Sequence, residues 1–115
     1  MNTREIGNIG EKKALKYLKL RLYKILATNY TKKTGEIDII AKKGSYIIFI
    51  EVKFRKNISK GLPREAVNKF KQNQIIRTAN MYILENDLKD IDFRFDVIEI
   101  LGNKIEHIKN AFQIS

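Results

Sequence analysis

Charged side chains within an apolar, β-branched stretch are the residues of this chain best suited to chemistry. Asp38 lies in the run Gly-Glu-Ile-Asp-Ile-Ile that begins at Gly35, and Glu51, Val52 and Lys53 follow in the next apolar run. Burying ionised groups among Ile, Phe and Val is unfavourable unless the charges are paired or hold a metal. A purely structural sheet gives little reason for such placement, so these residues indicate a site.

The spacing of these charges predicts one shared pocket. Side chains alternate across a strand, so Glu51 and Lys53 point to the same face. A hairpin that pairs Ala41 with Tyr46 would make Glu51 the diagonal neighbour of Asp38 on that face. The length of the intervening turn allows this register.

Two carboxylates at that separation repel each other, and a hard divalent cation such as Mg²⁺ (or Mn²⁺) would relieve the repulsion. Such an ion lowers the pKa of a bound water and polarises a phosphoryl oxygen. The Val52 carbonyl is a candidate further ligand. Lys53 could orient or help deprotonate the water, or stabilise developing charge. Glu11, on the core-facing side of the first predicted helix, could supply a third carboxylate directly or through water.

Each of these residues also has an ordinary structural interpretation. Glu51 and Lys53 could form a solvated ion pair on a strand face, and Asp38 could be a hydrogen-bonded residue near a strand end. Glu11 has no basic residue one turn away on its helix, so an ion pair within the helix is not available to it. Glu36 could also touch a metal, although a glutamate at the start of a strand is more often on the surface.

Three further side chains are candidates for nucleic-acid contacts. Arg55 continues the face of Glu51 and Lys53 and could bind a phosphate; the alternative is a solvated edge arginine. Lys71 and Gln72, on the second predicted helix, could reach a substrate backbone. The alternative for both is a charged helix face.

Two polar residues near the carboxyl end are expected to be structural. Asp96 is semi-buried by pattern, which favours an ion pair with Arg94 or a turn contact. His107 is the only histidine. With no Asp, Ser or second His near it in the sequence, a catalytic triad or a zinc site is not expected.

Composition indicates the kind of partner. Lys and Arg number 23 against 13 Asp and Glu, a net charge of +10 with pI ≈ 9.8. This favours a polyanion such as nucleic acid, although lysines could simply fill solvated faces. The lack of cysteine excludes thiolate zinc sites and cysteine nucleophiles. No apolar run is long enough to span a membrane and none resembles a signal segment, so we expect a cytoplasmic protein without membrane contact.

The hydrophobic periodicity predicts a single domain over residues 1–115. The predicted elements are a helix over 4–22, strands over 23–28, 36–41 and 46–54, a helix over 63–85, and strands over 92–101 and 104–108. The run over 46–50 is apolar on both faces, which is typical of a central strand covered on both sides. The order α-β-β-β-α-β-β predicts an α/β domain with a mixed sheet between helices.

Several residue blocks across nearly the whole chain resemble the bacterial YraN family, UPF0102. They are Gly10-Glu11, the Gly-Glu-Ile-Asp-Ile-Ile-Ala block over 35–41, the Phe-Ile-Glu-Val-Lys-Phe-Arg block over 49–55, Arg-Phe-Asp-Val over 94–97, and the pattern over 107–112. That family is similar to the PD-(D/E)xK nucleases, close to archaeal Holliday-junction resolvases. The resemblance implies a restriction-endonuclease-like fold. It also implies that Asp38, Glu51 and Lys53 occupy the catalytic positions of that superfamily and that Glu11 matches the helix-one glutamate of its resolvase-like branch.

These observations together predict a Mg²⁺-dependent endonuclease that hydrolyses phosphodiesters in branched or otherwise structured DNA. Lysine-rich helices would bind the DNA backbone without reading sequence. A junction resolvase needs two active sites, so a homodimer is plausible. Two other functions remain open: a nucleic-acid-binding module of the same fold without turnover, and a protein-interaction scaffold whose charges only solubilise it.

Overall fold

The computed structural model describes residues 3–55 and 67–114, with side chains from Ile9 onward. It contains two helices and five strands in the predicted order α-β-β-β-α-β-β. In chain order they are α1 (Thr3–Leu20), β1 (Lys24–Lys32), β2 (Gly35–Lys43), β3 (Tyr46–Arg55), α2 (Lys69–Glu85), β4 (Asp92–Leu101) and β5 (Lys104–Phe112). In these two described segments, no helix combines the length and the apolar character needed to cross a membrane.

The five strands form one mixed sheet in the order β1-β2-β3-β4-β5, which confirms the predicted α/β class. Neighbouring strands are antiparallel except for β3 and β4, which are parallel. A parallel pair requires a crossover connection, and α2 lies in that connection. The sheet therefore places the charged carboxyl end of β3 between β2 and β4.

Each face of the sheet is covered by one helix and has its own apolar core. On the α1 face, Ala14 and Leu18 pack with strand residues that include Ile39 and Ile48. On the α2 face, a separate cluster contains Ala79 and, in the sheet, Phe49 and Phe95, among others. The run over 47–50 in β3 is fully buried, as expected for a central strand covered on both sides.

Element ends differ from the prediction where local backbone geometry decides them. Helix α1 ends at Leu20, two residues early, because Leu22 adopts a positive φ of 68° and the Tyr23 N–H donates back to the Leu18 carbonyl. Asn68 caps α2 by accepting a hydrogen bond from the Lys71 N–H. The predicted start of this helix at residue 63 lies outside the described residues.

The predicted pairing of Ala41 with Tyr46 is wrong, because Tyr46 instead pairs with Lys43. The connection is a two-residue turn rather than a four-residue one. Gly44 adopts the positive φ of 59° that such a tight turn favours. The register between β2 and β3 is therefore shifted by two residues, which changes the partner of each paired residue.

This shift alters the geometry of the predicted site. The last backbone pair toward the carboxyl end of β3 is Ile39 with Ile50. The regular pairing thus ends before it reaches Asp38 and Glu51. Beyond that point the Val52 N–H donates to the Asp38 carboxylate, at 2.8 Å, rather than to a backbone carbonyl. The Asp38 carboxylate thus replaces a backbone carbonyl as the acceptor for the Val52 N–H, close to Glu51.

Candidate active site

Asp38 and Glu51 form a close acidic pair at the edge of the core. Glu51 is only 7% exposed, and Asp38 is partly buried beside it. Burial and then the nearby charge of Asp38 raise the pKa of Glu51 to about 7, although the positive charges of Lys71 and Lys53 oppose the shift. Near neutral pH the pair therefore retains a proton unless a cation takes its place.

The Asp38 carboxylate is oriented by the main chain of the neighbouring strand. Burial is the largest cause that raises its pKa, and the charges of Glu36 and Glu11 add to this effect. The Val52 N–H opposes it by donating a hydrogen bond to the ionised form. The hydrogen bond from Val52 thus orients the Asp38 carboxylate, although the neighbouring negative charges disfavour its ionised form. The Val52 carbonyl as a further metal ligand stays a prediction.

Removing the charge of Glu51 is expected to change how stability depends on pH. Its pKa is about 7 in the folded protein against an ordinary value of 4.5, so between these values the folded state binds more protons than the unfolded state. Stability must then fall as pH rises through this window. In EDTA, Glu51→Gln should gain stability relative to wild type between pH 4 and pH 8, by up to about 3 kcal/mol, as measured by urea unfolding.

A matched variant separates this effect from ordinary surface electrostatics. Glu106 is exposed on β5, and Glu106→Gln makes the same chemical change away from the acidic pair. We expect Glu106→Gln to follow the wild-type pH profile. Parallel profiles for wild type and Glu51→Gln would contradict the raised pKa of Glu51.

Glu11 reaches the site because α1 crosses closely over β3. A Cβ atom added at Gly10 would lie 3.1 Å from Cδ2 of Phe54, so a larger residue there would push the helix away. Glu11 and Asp38 line one small pocket of about 170 Å³. The sequence-based expectation that Glu11 faces inward near Asp38 therefore agrees with the structure.

Asn29 holds Glu11 within this pocket and was missed by the sequence analysis. Its Nδ2 donates to Oε2 of Glu11 at 3.0 Å and to Oε1 of Glu36 at 3.3 Å. Asn29 has a positive φ of 50°, a conformation that asparagine tolerates better than most residues. One amide thus bridges two carboxylates and limits their mutual repulsion. The predicted strand ends at residue 28, so the sequence pattern gave no signal for Asn29.

Asp38 and Glu51 are the side chains best placed to hold an ion. Across the described residues, no three Asp, Glu or His side chains are grouped closely enough to hold one ion together. Mg²⁺ commonly binds through only one or two carboxylates and keeps several waters. The geometry therefore favours the acidic pair as direct ligands and Glu11 as a contributor through water.

Lys53 lies beside the acidic pair with its ammonium group partly exposed. Its Nζ is 3.9 Å from Oε1 of Glu51, and its side chain is 34% exposed. That separation is too long for a strong hydrogen bond but close enough for electrostatic attraction. Lys53 can therefore turn toward a water or a phosphate oxygen without giving up a tight ion pair.

The two candidates on α2 have different surroundings. Lys71 acts electrostatically on Glu51, where it lowers the pKa, so the start of α2 lies near the acidic pair. Gln72 donates through Nε2 to the Val67 carbonyl at 2.9 Å, which ties the helix to the residues before it. Lys71 therefore remains a candidate for phosphate contact. Gln72 could contact a phosphate through its amide nitrogen only after breaking its hydrogen bond to the Val67 carbonyl.

Arg55 is neither a solvated edge residue nor an open phosphate contact. It forms an ion pair with Glu99 of β4, with Nη1 2.6 Å from Oε1, and the two side chains are 11% and 7% exposed. Because β3 and β4 are parallel, this partner lies 44 residues away in sequence. Separating a buried pair of opposite charges is strongly unfavourable. Arg55 would have to give up its ion pair with Glu99 in order to bind a phosphate.

Asp96 and His107 form a second buried polar cluster. Asp96 is fully buried and accepts two hydrogen bonds from Arg94, one from His107 and one from the Asn110 N–H. The predicted pairing of Asp96 with Arg94 is confirmed. The expectation that no Asp lies near His107 fails in three dimensions, because the β4–β5 hairpin brings the two side chains to 2.7 Å.

The hydrogen bonds of this cluster fix the tautomer of His107. Burial alone would raise the pKa of Asp96, but hydrogen bonds from His107, Arg94 and Asn110 hold it below its ordinary value. An ionised carboxylate only accepts, so Nε2 of His107 carries the proton. In the neutral ring Nδ1 then accepts from the Tyr17 hydroxyl, at 3.2 Å. The chain Tyr17–His107–Asp96 thus links α1 to the sheet.

Comparison with known proteins places the chain in a family. The model of the uncharacterised protein family UPF0102 matches residues 10–100. The chain belongs to the UPF0102 family. A UPF0102 protein of Clostridioides difficile is 51% identical over 114 residues, covering 97% of this chain and 100% of that protein. A UPF0102 protein of Fusobacterium nucleatum is 49% identical, covering 96% of this chain and 92% of that protein. A UPF0102 protein of Caldicellulosiruptor saccharolyticus is 44% identical, covering 97% of this chain and 100% of that protein. The family match spans Glu11, Asp38, Glu51 and Lys53, so the candidate site of this UPF0102 protein lies within the matched region.

Proposed function

We propose that this UPF0102 protein is a metal-dependent endonuclease of the PD-(D/E)xK type that hydrolyses phosphodiesters in DNA. One observation carries the proposal: two neighbouring carboxylates on adjacent strands, with raised pKa values, lie beside a lysine. Carboxylates placed this way destabilise the metal-free protein at neutral pH. A bound cation would stabilise both carboxylates in their ionised form and so remove this destabilisation.

The donor set fits a hard cation. Carboxylate oxygens are the ligands preferred by Mg²⁺ and Mn²⁺, and this chain has no cysteine to favour softer metals. When bound, such an ion supplies an activated water and polarises the scissile phosphate. Asp38 and Glu51 would hold it, since the charge of Asp38 raises the pKa of the largely buried Glu51 beside it.

The remaining residues have distinct roles in this proposal. Lys53 would orient the attacking water or neutralise charge that develops on the phosphate. Glu11 would act through a water from α1, and Asn29 would hold its carboxylate in the pocket. The Val52 carbonyl would lie beside the ion, because its own N–H already positions Asp38.

Charge supports DNA as the substrate. The net charge of +10 favours a polyanion, and α1 carries Lys12, Lys13, Lys16 and Lys19 away from its buried stripe. Contacts from such lysines bind phosphates without reading bases. Branched DNA as the preferred substrate, and a homodimer that cuts both strands, are extensions of the proposal based on the likeness to junction resolvases.

A cleavage assay tests the proposal directly. Purified protein is incubated with end-labelled four-way junction, flap, duplex and single-stranded DNA in Mg²⁺, Mn²⁺, Ca²⁺ or EDTA. We expect cleavage of at least one structured DNA in Mg²⁺ or Mn²⁺ and none in EDTA. DNA binding without cleavage in any metal would instead favour the inactive binding module. Neither binding nor cleavage would favour the scaffold.

A further inference from the structure

A second pocket, at the other end of α1, has a purely basic set of charged residues. It has a volume of about 380 Å³, and Arg21, Lys43 and Lys109 line it together with Tyr17 and His107. Among the described residues that line it, none carries a carboxylate. We refer to it as the basic pocket. Three cations gathered around a cavity repel one another, so an anion bound there is stabilised by all three.

Two of the cations in the basic pocket are held in place. The Arg21 guanidinium lies 3.9 Å from the centre of the Tyr17 ring and donates to the Tyr17 carbonyl at 3.3 Å. Lys43 donates to the Arg21 carbonyl at 2.5 Å, and its ammonium group lies over the Tyr23 ring. Groups that are already ordered lose less entropy when a ligand binds. The pocket is thus preorganised as well as positive.

The nearest buried carboxylate does not cancel this charge. Asp96 is paired with Arg94, and the His107 ring lies between Asp96 and the pocket. His107 uses Nε2 on Asp96 and Nδ1 on the Tyr17 hydroxyl. Its role in the basic pocket is therefore to hold the Tyr17 ring on which Arg21 rests.

The distance from the basic pocket to the acidic pair suits one nucleic-acid strand. Glu11 and Arg21 are separated by ten residues of α1 and its following turn, or about 15 Å at the helical rise. Asp38 and Lys43 are separated by five residues of β2, or about 17 Å. One strand of a duplex carries a phosphate about every 3.4 Å along the axis and winds around that axis, so this distance spans only a few nucleotides.

We propose that the basic pocket is a non-catalytic phosphate-binding site for the nucleic-acid backbone, a few nucleotides from the bond that the acidic pair would cleave. The position of the scissile bond rests on the proposed nuclease function. The binding itself does not, because Arg21, Lys43 and Lys109 would bind backbone phosphates whether or not the protein turns over. Anchoring a strand at two points along α1 would fix which phosphodiester reaches Asp38 and Glu51.

The first test removes charge from the pocket. The double variant Lys43→Gln/Lys109→Gln is compared with Lys42→Gln/Lys104→Gln, which removes the same charge from exposed strand residues outside the pocket. DNA binding is measured by fluorescence anisotropy in Ca²⁺ over a series of salt concentrations. Losing two phosphate contacts should reduce the slope of log affinity against log salt by about 2 and weaken binding at least about tenfold near 0.1 M salt.

The control variant decides whether position or total charge matters. We expect Lys42→Gln/Lys104→Gln to keep the wild-type salt slope. Equal losses in both double variants, or an unchanged slope for Lys43→Gln/Lys109→Gln, would overturn the basic pocket as a binding site. Circular dichroism melts of both variants establish that each is folded at the assay temperature.

A second test locates the ligand directly. ¹⁵N-labelled wild-type protein is titrated with a six-nucleotide thymidine strand, and backbone amide shifts are followed. We expect the largest shifts at Arg21, Lys43 and Lys109, and their loss in the pocket variant. Shifts confined to other regions would overturn the proposal.

The two proposals fail in different ways. Pocket-dependent binding without cleavage in any metal would overturn the nuclease and leave the phosphate site standing. Metal-dependent cleavage with wild-type affinity in Lys43→Gln/Lys109→Gln would support the nuclease and overturn the phosphate site.

Discussion

Asp38→Asn is expected to lower metal-dependent cleavage by about 10³-fold or more, because a neutral amide replaces one of the two carboxylates that would hold the ion. The substitution is nearly isosteric. Its amide oxygen can still accept the hydrogen bond from the Val52 N–H that positions the wild-type carboxylate at 2.8 Å. The loss should therefore reflect chemistry rather than collapse of the strand ends. Single-turnover rates on a structured DNA substrate measure it.

The matched control for this experiment is Asp92→Asn. Asp92 is exposed at the start of β4 and pairs with Tyr46, at the opposite end of β3 from Glu51. We expect Asp92→Asn to cleave at the wild-type rate, and both variants to bind DNA in Ca²⁺. Cleavage by Asp38→Asn within a few-fold of wild type would remove Asp38 from the metal site and with it the main support for the proposed mechanism.

The predicted proximity of the two carboxylates survives an error in register of two residues. With Lys43 rather than Ala41 opposite Tyr46, Asp38 remains close enough for its charge to raise the pKa of Glu51, although Asp38 lines the pocket beneath α1 together with Glu11. The residues before Gly44 are two lysines that suit a turn or a strand equally well. Sequence could therefore predict that the carboxylates converge, but not that the regular pairing of β2 with β3 ends just before them.

The local sequence pattern around a residue does not identify contacts with residues that are distant in sequence. Arg55 meets Glu99 only because β3 and β4 are parallel in a particular register, and nothing near either residue signals that register. Asn29 depends on a positive φ within β1, just beyond residue 28, where the predicted strand ends. The polar groups that sequence reasoning missed or misplaced are those whose partners lie on another element.

The Asp96 cluster shows the same limit and carries the largest expected effect on stability. His107 was judged by its sequence neighbours, but a register shift between Phe95 and Val97 and a positive φ of 54° at Asn110 bring the β5 residues around the Asp96 carboxylate. Four donors then converge on one fully buried anion. Such a cluster holds two strands and α1 together through groups that are costly to leave without partners.

Asp96→Ala is accordingly expected to lower the free energy of unfolding by about 3–5 kcal/mol, because it leaves Arg94 and the Asn110 N–H without their acceptor in a buried place. Urea unfolding at pH 7 measures it. Asp92→Ala, an exposed aspartate of the same strand, should change stability by no more than about 0.5 kcal/mol. A loss below about 1 kcal/mol for Asp96→Ala would contradict the idea that this cluster is a principal link between α1 and the sheet.

The pH dependence of that loss separates the ionised cluster from simple packing. Because the pKa of Asp96 in the folded protein lies below its ordinary value of 3.8, its ionised interactions contribute fully above pH 3.8 and are lost as pH falls through the lower folded pKa. The difference between wild type and Asp96→Ala should therefore shrink in acid. A cavity left by the missing carboxyl group would instead cost the same at every pH, so a constant difference would assign the effect to packing.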